Sequence, residues 1–310
     1  MKNNPYHTKI TCAYLYTISK YGYPPDISRT ELHIKEMCEK GFRSVELEGI
    51  GKHNIEYLYR HKTEVRDWLT KYDCTLPVLC IVLPQLSAVD KGRHCEGLEL
   101  FEMGCEVAHY LGAPAVLDNG PLLNLSSVND GPIKRHYSDE QLSKMTLPKE
   151  FEWDSYWQDL VETYKKACNV ASKYELNYHL HPCEGSLITG TDSFLFFTAA
   201  VGSSNLKFNL DTANQYYFRD NLALSVLRLA DQISYIHISD NGGRKVEHLV
   251  PGDGNISWDV FFEALQKIGY KGGFAIDVGG DETGIIDIEE AYVRSATWLE
   301  EKLNQYSLSQ

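Results

Sequence analysis

A closed (β/α)8 barrel, the TIM-barrel architecture of the α/β class, is the fold predicted for this 310-residue chain. Short apolar runs rich in β-branched and aromatic residues alternate eight times with longer segments of helical period, the pattern of βα units around a parallel sheet. No composition break or low-complexity linker divides the chain, so a single domain over residues 1–310 is expected. No glycine-rich dinucleotide fingerprint follows the first apolar run, which removes the commonest open-sheet alternative.

The eight strands are expected at 9–16 (KITCAYLY), 43–48 (RSVELE), 76–83 (LPVLCIVL), 113–118 (APAVLD), 176–181 (LNYHLH), 206–211 (LKFNLD), 234–240 (SYIHISD) and 273–277 (GFAID). Helices should follow each. Ser28 precedes RTELHIKEMCEKG with Glu31 three residues on, a capping-box spacing, and Gly41 stands where a left-handed C-cap belongs. Ser257 precedes WDVFFEALQKIGY in the same way, with Gly269 near its end. Segments 54–71, 97–111, 155–173, 219–230 and 286–303 carry apolar residues at i, i+3, i+4 spacing. Segment 190–201 is a weaker helix former because of its aromatic and β-branched content. The longest interruption, 119–153, lies after the fourth strand, and an insertion of that length at a βα junction suits a lid or a subunit contact. A homo-oligomer is consistent with it.

Composition narrows the function classes. Hydrophobic content of 43% with 24% charged residues is that of a soluble globular protein, and no apolar run approaches the length of a membrane span. The first residues, MKNNPYHTKITC, hold no signal-like apolar segment, so the expected location is the cytoplasm. Eight cysteines without a CxxC spacing read as reduced thiols. A net charge of −13 argues against nucleic acid as a partner and favours a small neutral or cationic ligand.

Four strands end on a metal-capable side chain: YHLH on His181, FNLD on Asp211, FAID on Asp277, and YIHISD with His237 inside it. In barrels of this class the active site lies at the C-terminal strand ends, where these four side chains would converge. Two imidazoles and two carboxylates suit a divalent cation, with manganese placed first and cobalt, magnesium or zinc as alternatives. Each has a competing role: His181 as a packing histidine, Asp211 as a helix cap, Asp277 as a turn former in DVGGDE. His179 shares the strand parity of His181, so it too should face the interior. Glu184 in HPCEGS lies in a loop from which it can reach the metal or act as a base, and His248 in VEHLVPGDG can reach over the barrel mouth; either can instead simply be solvated. Glu46 and Glu48 share parity on the second strand, and one of them can hydrogen-bond a substrate hydroxyl; a structural ion pair near the barrel base is the alternative. Trp258, Tyr14, Tyr16, Tyr216 and Tyr217 lie near strand ends and are candidates to stack on a substrate. Lys91, Arg93, Lys134, Arg135 and Arg244 fall in expected loops, although no phosphate cradle of glycine-rich type is present.

The succession HLHPCEGS, NLDTAN, YIHISDN, EHLVPGDGNISW and FAIDVGG resembles the sugar phosphate isomerase/epimerase superfamily, the xylose-isomerase-like barrels, most strongly over residues 170–280. The resemblance implies a divalent metal held at the ends of strands five to eight, usually by Glu, Asp, His and Glu. These positions are His181, Asp211, His237 and Asp277 here. It further implies a sugar, keto-sugar or polyol substrate, and proton abstraction next to a carbonyl through an enediolate, as in an isomerase or epimerase. Strand five ends in His and strand eight in the shorter Asp, whereas the glutamates usual at both places also transfer protons. Glu184 and His248 are therefore the bases to consider. His181 followed by Gly185 and Ser186 is similar to the inosose dehydratase branch, which keeps a lyase in view. A sugar-binding barrel without turnover is the third reading.

Overall fold

The computed structural model describes residues 5–122, 140, 143, 144 and 146–309. Eight parallel strands form one sheet: β1 (Ile10–Cys12), β2 (Leu47–Ile50), β3 (Leu79–Val82), β4 (Ala115–Asp118), β5 (Asn177–Leu180), β6 (Leu206–Asp211), β7 (Ile233–Ile238) and β8 (Gly273–Ile276). Sequential strands from β2 to β8 are neighbours, and β8 pairs with β1. The residues just before β2 complete the circle. Cys12 bridges Val45, the Cys12 N–H donates to Ser44 O at 2.9 Å, and the Glu46 N–H donates to Cys12 O at 3.0 Å. The sheet is therefore a closed (β/α)8 barrel.

Side-chain alternation divides the apolar residues into two layers. Val116, Tyr178, Leu180, Phe208, Leu210, Ile236, Ile238, Phe274 and Ile276 point outward and pack with the helices in the main core. Ala115, Leu117, Cys80, Val82, Tyr235 and Ala275 belong to a smaller inner cluster. That parity turns His181, Asp211, His237 and Asp277 inward, because each lies an even number of residues from an inward position on its own strand.

Local departures from the sequence pattern have local causes. The first strand stops at Cys12 because Tyr14 adopts a helical conformation and starts a short helix, Leu15–Tyr21. Ser28 does not cap: Asp26 accepts from the Ser28 N–H at 3.0 Å, and the helix begins at Thr30 after a 3-10 turn. The segment expected as one helix over 54–71 is two, Gly51–Arg60 and Lys62–Lys71, broken at His61. Ser257 likewise makes no side-chain cap, whereas Gly269 closes the helix Trp258–Ile268 in the left-handed region. The aromatic segment Thr191–Val201 is helical, and a short helix, Thr212–Tyr217, follows Asp211 directly. Most of the 119–153 insertion, with Lys134 and Arg135, lies outside the described residues.

All eight cysteines are free thiols. Among the described residues no helix is long and apolar enough to cross a membrane.

Candidate metal centre and pocket

The ends of β5 to β8 bring His181, Asp211, His237 and Asp277 together, with one ligand atom from each lying within 4.8 Å of the others, and all four are buried. Register explains the convergence. Asp211 on β6 stands beside His237 on β7, the Asp277 N–H donates to Ile238 O at 3.0 Å, and the His181 N–H donates to Asp118 O at 2.8 Å. His181, His237 and Asp277 are thus fixed by the ladder of the strand before them, and Asp211 by its pairing with β7.

Asp211 caps a helix with one oxygen and turns the other to the cluster. Its Oδ1 caps the helix Thr212–Tyr217 by accepting from the Asn214 N–H at 2.6 Å, while Oδ2 lies 3.0 Å from His181 Nε2. His237 Nδ1 lies 3.5 Å from Asp277 Oδ2 and 4.0 Å from Asp211 Oδ2. It is buried and has no hydrogen-bond partner among the described residues. A buried polar atom left unpaired is costly, and here it points at two carboxylates. This donor set fits a divalent cation: two imidazoles, two carboxylates, no thiolate, and an orphaned nitrogen aimed at their centre.

The electrostatics agree. Burial raises the Asp277 carboxyl, but attraction to His237, His248 and His181 outweighs it and holds the group well below the usual carboxylate range. Burial likewise opposes charge on Asp211, and the hydrogen bond from His181 with the pull of His181 and His248 lowers it. Burial works against protonation of His237, yet Glu46 and Asp277 raise it well above an ordinary imidazole. The cluster carries excess negative potential and draws positive charge.

The cluster lies at the base of a narrow cleft, with Asp211 fully buried beneath the other three groups. Its lining includes Glu46, Glu48, Glu184, Asn214 and His248 beside His181, His237 and Asp277, and an apolar wall of Leu15, Ile18, Val82, Leu117 and Leu122. Among the described residues, neither Lys nor Arg lines it. Lys91 is instead paired with Asp159 at 2.7 Å on the outside of the barrel, and Arg244 is exposed.

His248 reaches the site from the loop after β7. Its Nε2 stands 3.9 Å from Asp211 Oδ2 and 3.8 Å from Asp277 Oδ2, and its Nδ1 pairs with Glu282 Oε1 at 3.2 Å. Asp240 shapes that loop by accepting from the N–H groups of Gly252 at 2.8 Å and Ile256 at 3.1 Å and from the Trp258 indole at 2.9 Å. A Cβ at Gly254 would stand 2.3 Å from Asp240 Oδ1, so only glycine lets the chain wrap that carboxylate.

Of the three expected substrate contacts, Glu46 alone borders the cleft. Trp258 is buried against Phe261, Phe262 and Trp298 with its indole on Asp240, and does not line the cleft. His179 faces inward one layer below, where it bonds Ser234 Oγ at 2.7 Å, and burial pushes its pKa down to about 3. Glu46 borders the cleft, but both of its oxygens already accept from protein donors: Tyr235 OH at 2.7 Å and His237 Nε2 at 3.1 Å on one, the Tyr14 N–H at 3.3 Å on the other. Of the candidate aromatics, Tyr14 and Tyr16 are core residues, and Tyr216 bonds Asn255 O at 3.1 Å. Tyr23, Asn214, Cys183 and Glu282 were not singled out by sequence. Only Asn214 had a visible signal, its place three residues beyond Asp211.

A barrel whose last four strands each carry an inward metal-capable side chain is the arrangement of the xylose isomerase-like TIM barrels. The chain belongs to that family, whose profile matches residues 34–302. It is 28% identical over 105 residues to the D-psicose 3-epimerase of Enterocloster bolteae, covering 34% of this chain and 32% of the relative. It is 28% identical over 130 residues to the hydroxypyruvate isomerase of Escherichia coli, covering 40% and 49%. The matched regions therefore span about a third to a half of these relatives' own length. The crystal structure of a D-allulose 3-epimerase from Methylomonas sp. superposes with a TM-score of 0.72 at 18% identity, covering 97% of this chain and 99% of that one. This likeness extends the shared fold to nearly the whole chain.

Proposed function

We propose that the protein is a divalent-metal-dependent isomerase or epimerase of a non-phosphorylated keto-sugar or related polyol, acting by proton abstraction next to a carbonyl. The supporting observation is the buried cluster of His181, Asp211, His237 and Asp277 on the floor of a cleft free of described Lys and Arg. These four residues would hold the cation, manganese in the first instance, with cobalt, magnesium or zinc as alternatives. When bound, such a cation supplies Lewis-acid stabilisation of the negative charge that develops on two adjacent substrate oxygens.

The chain's own groups do the rest. Glu282 accepts from His248 Nδ1–H and leaves Nε2 as the basic nitrogen facing the cleft, in a position to take a proton from carbon. Glu184, on the loop after β5, borders the same cleft and is the second group for proton return. The apolar wall limits water around the reacting carbon, and a described lining without Lys or Arg disfavours a phosphorylated substrate. His181 and Asp277, in place of the usual glutamates, favour one further reading. With His248 as acid to a leaving hydroxyl, the same site would run a dehydration.

Metal analysis of the purified protein with its Asp211→Ala and His237→Ala variants tests the site. About one divalent ion per chain, lost in both variants, is expected; retention in both would refute the assignment. A panel of keto-sugars incubated in deuterated water then separates the reactions. An isomerase or epimerase incorporates deuterium at carbon with conserved skeleton, a dehydratase yields a product lighter by water, and a binding barrel does neither.

A further inference from the structure

The two histidines of the cluster are braced differently. His237 turns Nδ1 toward Asp211 and Asp277 and gives Nε2 to Glu46 Oε1 at 3.1 Å. His181 has no such brace: Nε2 lies 3.0 Å from Asp211 Oδ2, and its buried Nδ1 lacks a hydrogen-bond partner among the described residues. Which imidazole nitrogen faces a metal is decided by the hydrogen bond at the other, so His237 is the histidine whose orientation is predetermined.

Glu46 is itself held in place. It is 3% exposed, Tyr235 OH donates to the same oxygen at 2.7 Å, and the Tyr14 N–H donates to the other at 3.3 Å. Among the described residues its ion-pair partner is His237 alone. A carboxylate buried without Lys or Arg is expensive unless positive charge reaches it through a neighbour. The route here is His237, whose Nε2–H becomes a stronger donor when Nδ1 meets a cation. The carboxylate in turn makes Nδ1 a stronger ligand. Glu46 comes from the segment leading into β2, across the barrel from the four ligand-bearing strands, and so ties the opposite rim to the centre.

We propose that Glu46 is a positioning residue that sets the affinity and ligand field of the metal centre by locking His237 with Nδ1 inward, rather than a substrate contact. The inference deepens the proposed function and rests on its metal site. Wild type, Glu46→Gln and Tyr235→Phe are stripped with chelator, reloaded with Co²⁺, and compared by chromophoric-chelator competition and by the visible Co²⁺ spectrum. Glu46→Gln removes the charge, and its amide sets an N–H against the Tyr14 N–H. A roughly 10- to 100-fold loss of Co²⁺ affinity with a displaced absorption band is expected. Tyr235→Phe keeps the charge but removes one brace, and a loss of about two- to fivefold in the same direction is expected. Unchanged affinity and spectrum in Glu46→Gln overturn the proposal. Should that variant fail to fold by circular dichroism, Tyr235→Phe decides in the same way, an unaltered Co²⁺ site overturning it. A wild type that binds no divalent ion overturns the proposed function as well. A wild type that binds and a Glu46→Gln that binds equally overturns this inference alone.

Discussion

On the β5 to β8 side of the barrel mouth each strand end presents a metal-capable side chain, His181, Asp211, His237 or Asp277. On the β1 to β4 side the cleft is lined chiefly by Leu15, Ile18, Val82, Leu117 and Leu122, and the carboxylates there, Glu46 and Glu48, come from β2 and its lead-in. The difference divides the labour. On the proposed function, one rim concentrates charge where a polarised carbonyl and hydroxyl would sit, and the other would supply shape and exclude water. Coulombic attraction in such a half-apolar cleft is stronger than in open solvent, so the apolar rim amplifies what the charged rim does.

The hardest blow to this division falls on Asp211. Asp211→Ala is expected to lose the ion and to reduce kcat/KM by about a thousandfold or more, the equivalent of roughly 4 kcal/mol of transition-state stabilisation. It also removes the cap on the helix Thr212–Tyr217, worth about 1 kcal/mol. Asp211→Asn separates the two losses because its amide oxygen can still accept from the Asn214 N–H. Metal analysis and urea unfolding should show the ion weakened but the stability kept. An Asn variant as unstable as the Ala variant would mean that the cap is not what Asp211 contributes to folding.

A second aspartate sharpens the contrast. Asp118 closes APAVLD on β4 just as Asp211 closes LKFNLD on β6, but Leu117 before it faces inward, so Asp118 faces outward. There it accepts from Tyr164 OH at 3.1 Å and Tyr178 OH at 2.9 Å, and burial pushes its pKa up to about 7 despite those bonds. The unfolded chain releases this proton near pH 4, whereas the folded protein keeps it to about pH 7. Between those limits the native state binds more protons than the unfolded one, so stability falls as pH rises, by about 1.4 kcal/mol per pH unit at most. Asp118→Asn should remove that slope. Urea midpoints at pH 4.5 and pH 8 are expected to show the variant gaining on wild type at the higher pH. A difference independent of pH would mean that Asp118 ionises normally.

These two aspartates also show what could be read from sequence. Asp211 and His237 were expected at the barrel mouth from their place at apolar strand ends, and parity told that His179 and His181 share a face, because strand parity is a local property. The eight-fold alternation of elements gave the barrel for the same reason. An ion pair was a readable alternative for Glu46, but its partners could not be read, since Tyr235 and His237 are separated from it by 189 and 191 positions and meet it only through closure of the barrel. Trp258 was misplaced because a tryptophan beside a strand end looks alike whether it faces a cleft or caps a loop. Its indole bond to Asp240 is a tertiary fact. The capping box expected at Ser28 failed to a stronger local competitor, Asp26, which takes the Ser28 N–H two residues earlier.

The smallest expected effect probes the apolar rim. Leu122 borders the cleft, and its carbonyl is held by Ser87 Oγ at 2.7 Å, so its backbone is anchored independently of its side chain. Leu122→Ala should therefore leave the metal content unchanged and remove only side-chain area that a sugar ring would cover. Losing about 1 kcal/mol of that contact corresponds to a KM raised roughly fivefold. If the rim provides shape alone, kcat stays within about twofold, because the interaction is equal in ground and transition states. Steady-state kinetics on a turned-over keto-sugar would decide the point. A fall in kcat at unchanged KM would show that the apolar side strengthens its grip only as charge develops, and the two rims would then have to be treated as one catalytic unit.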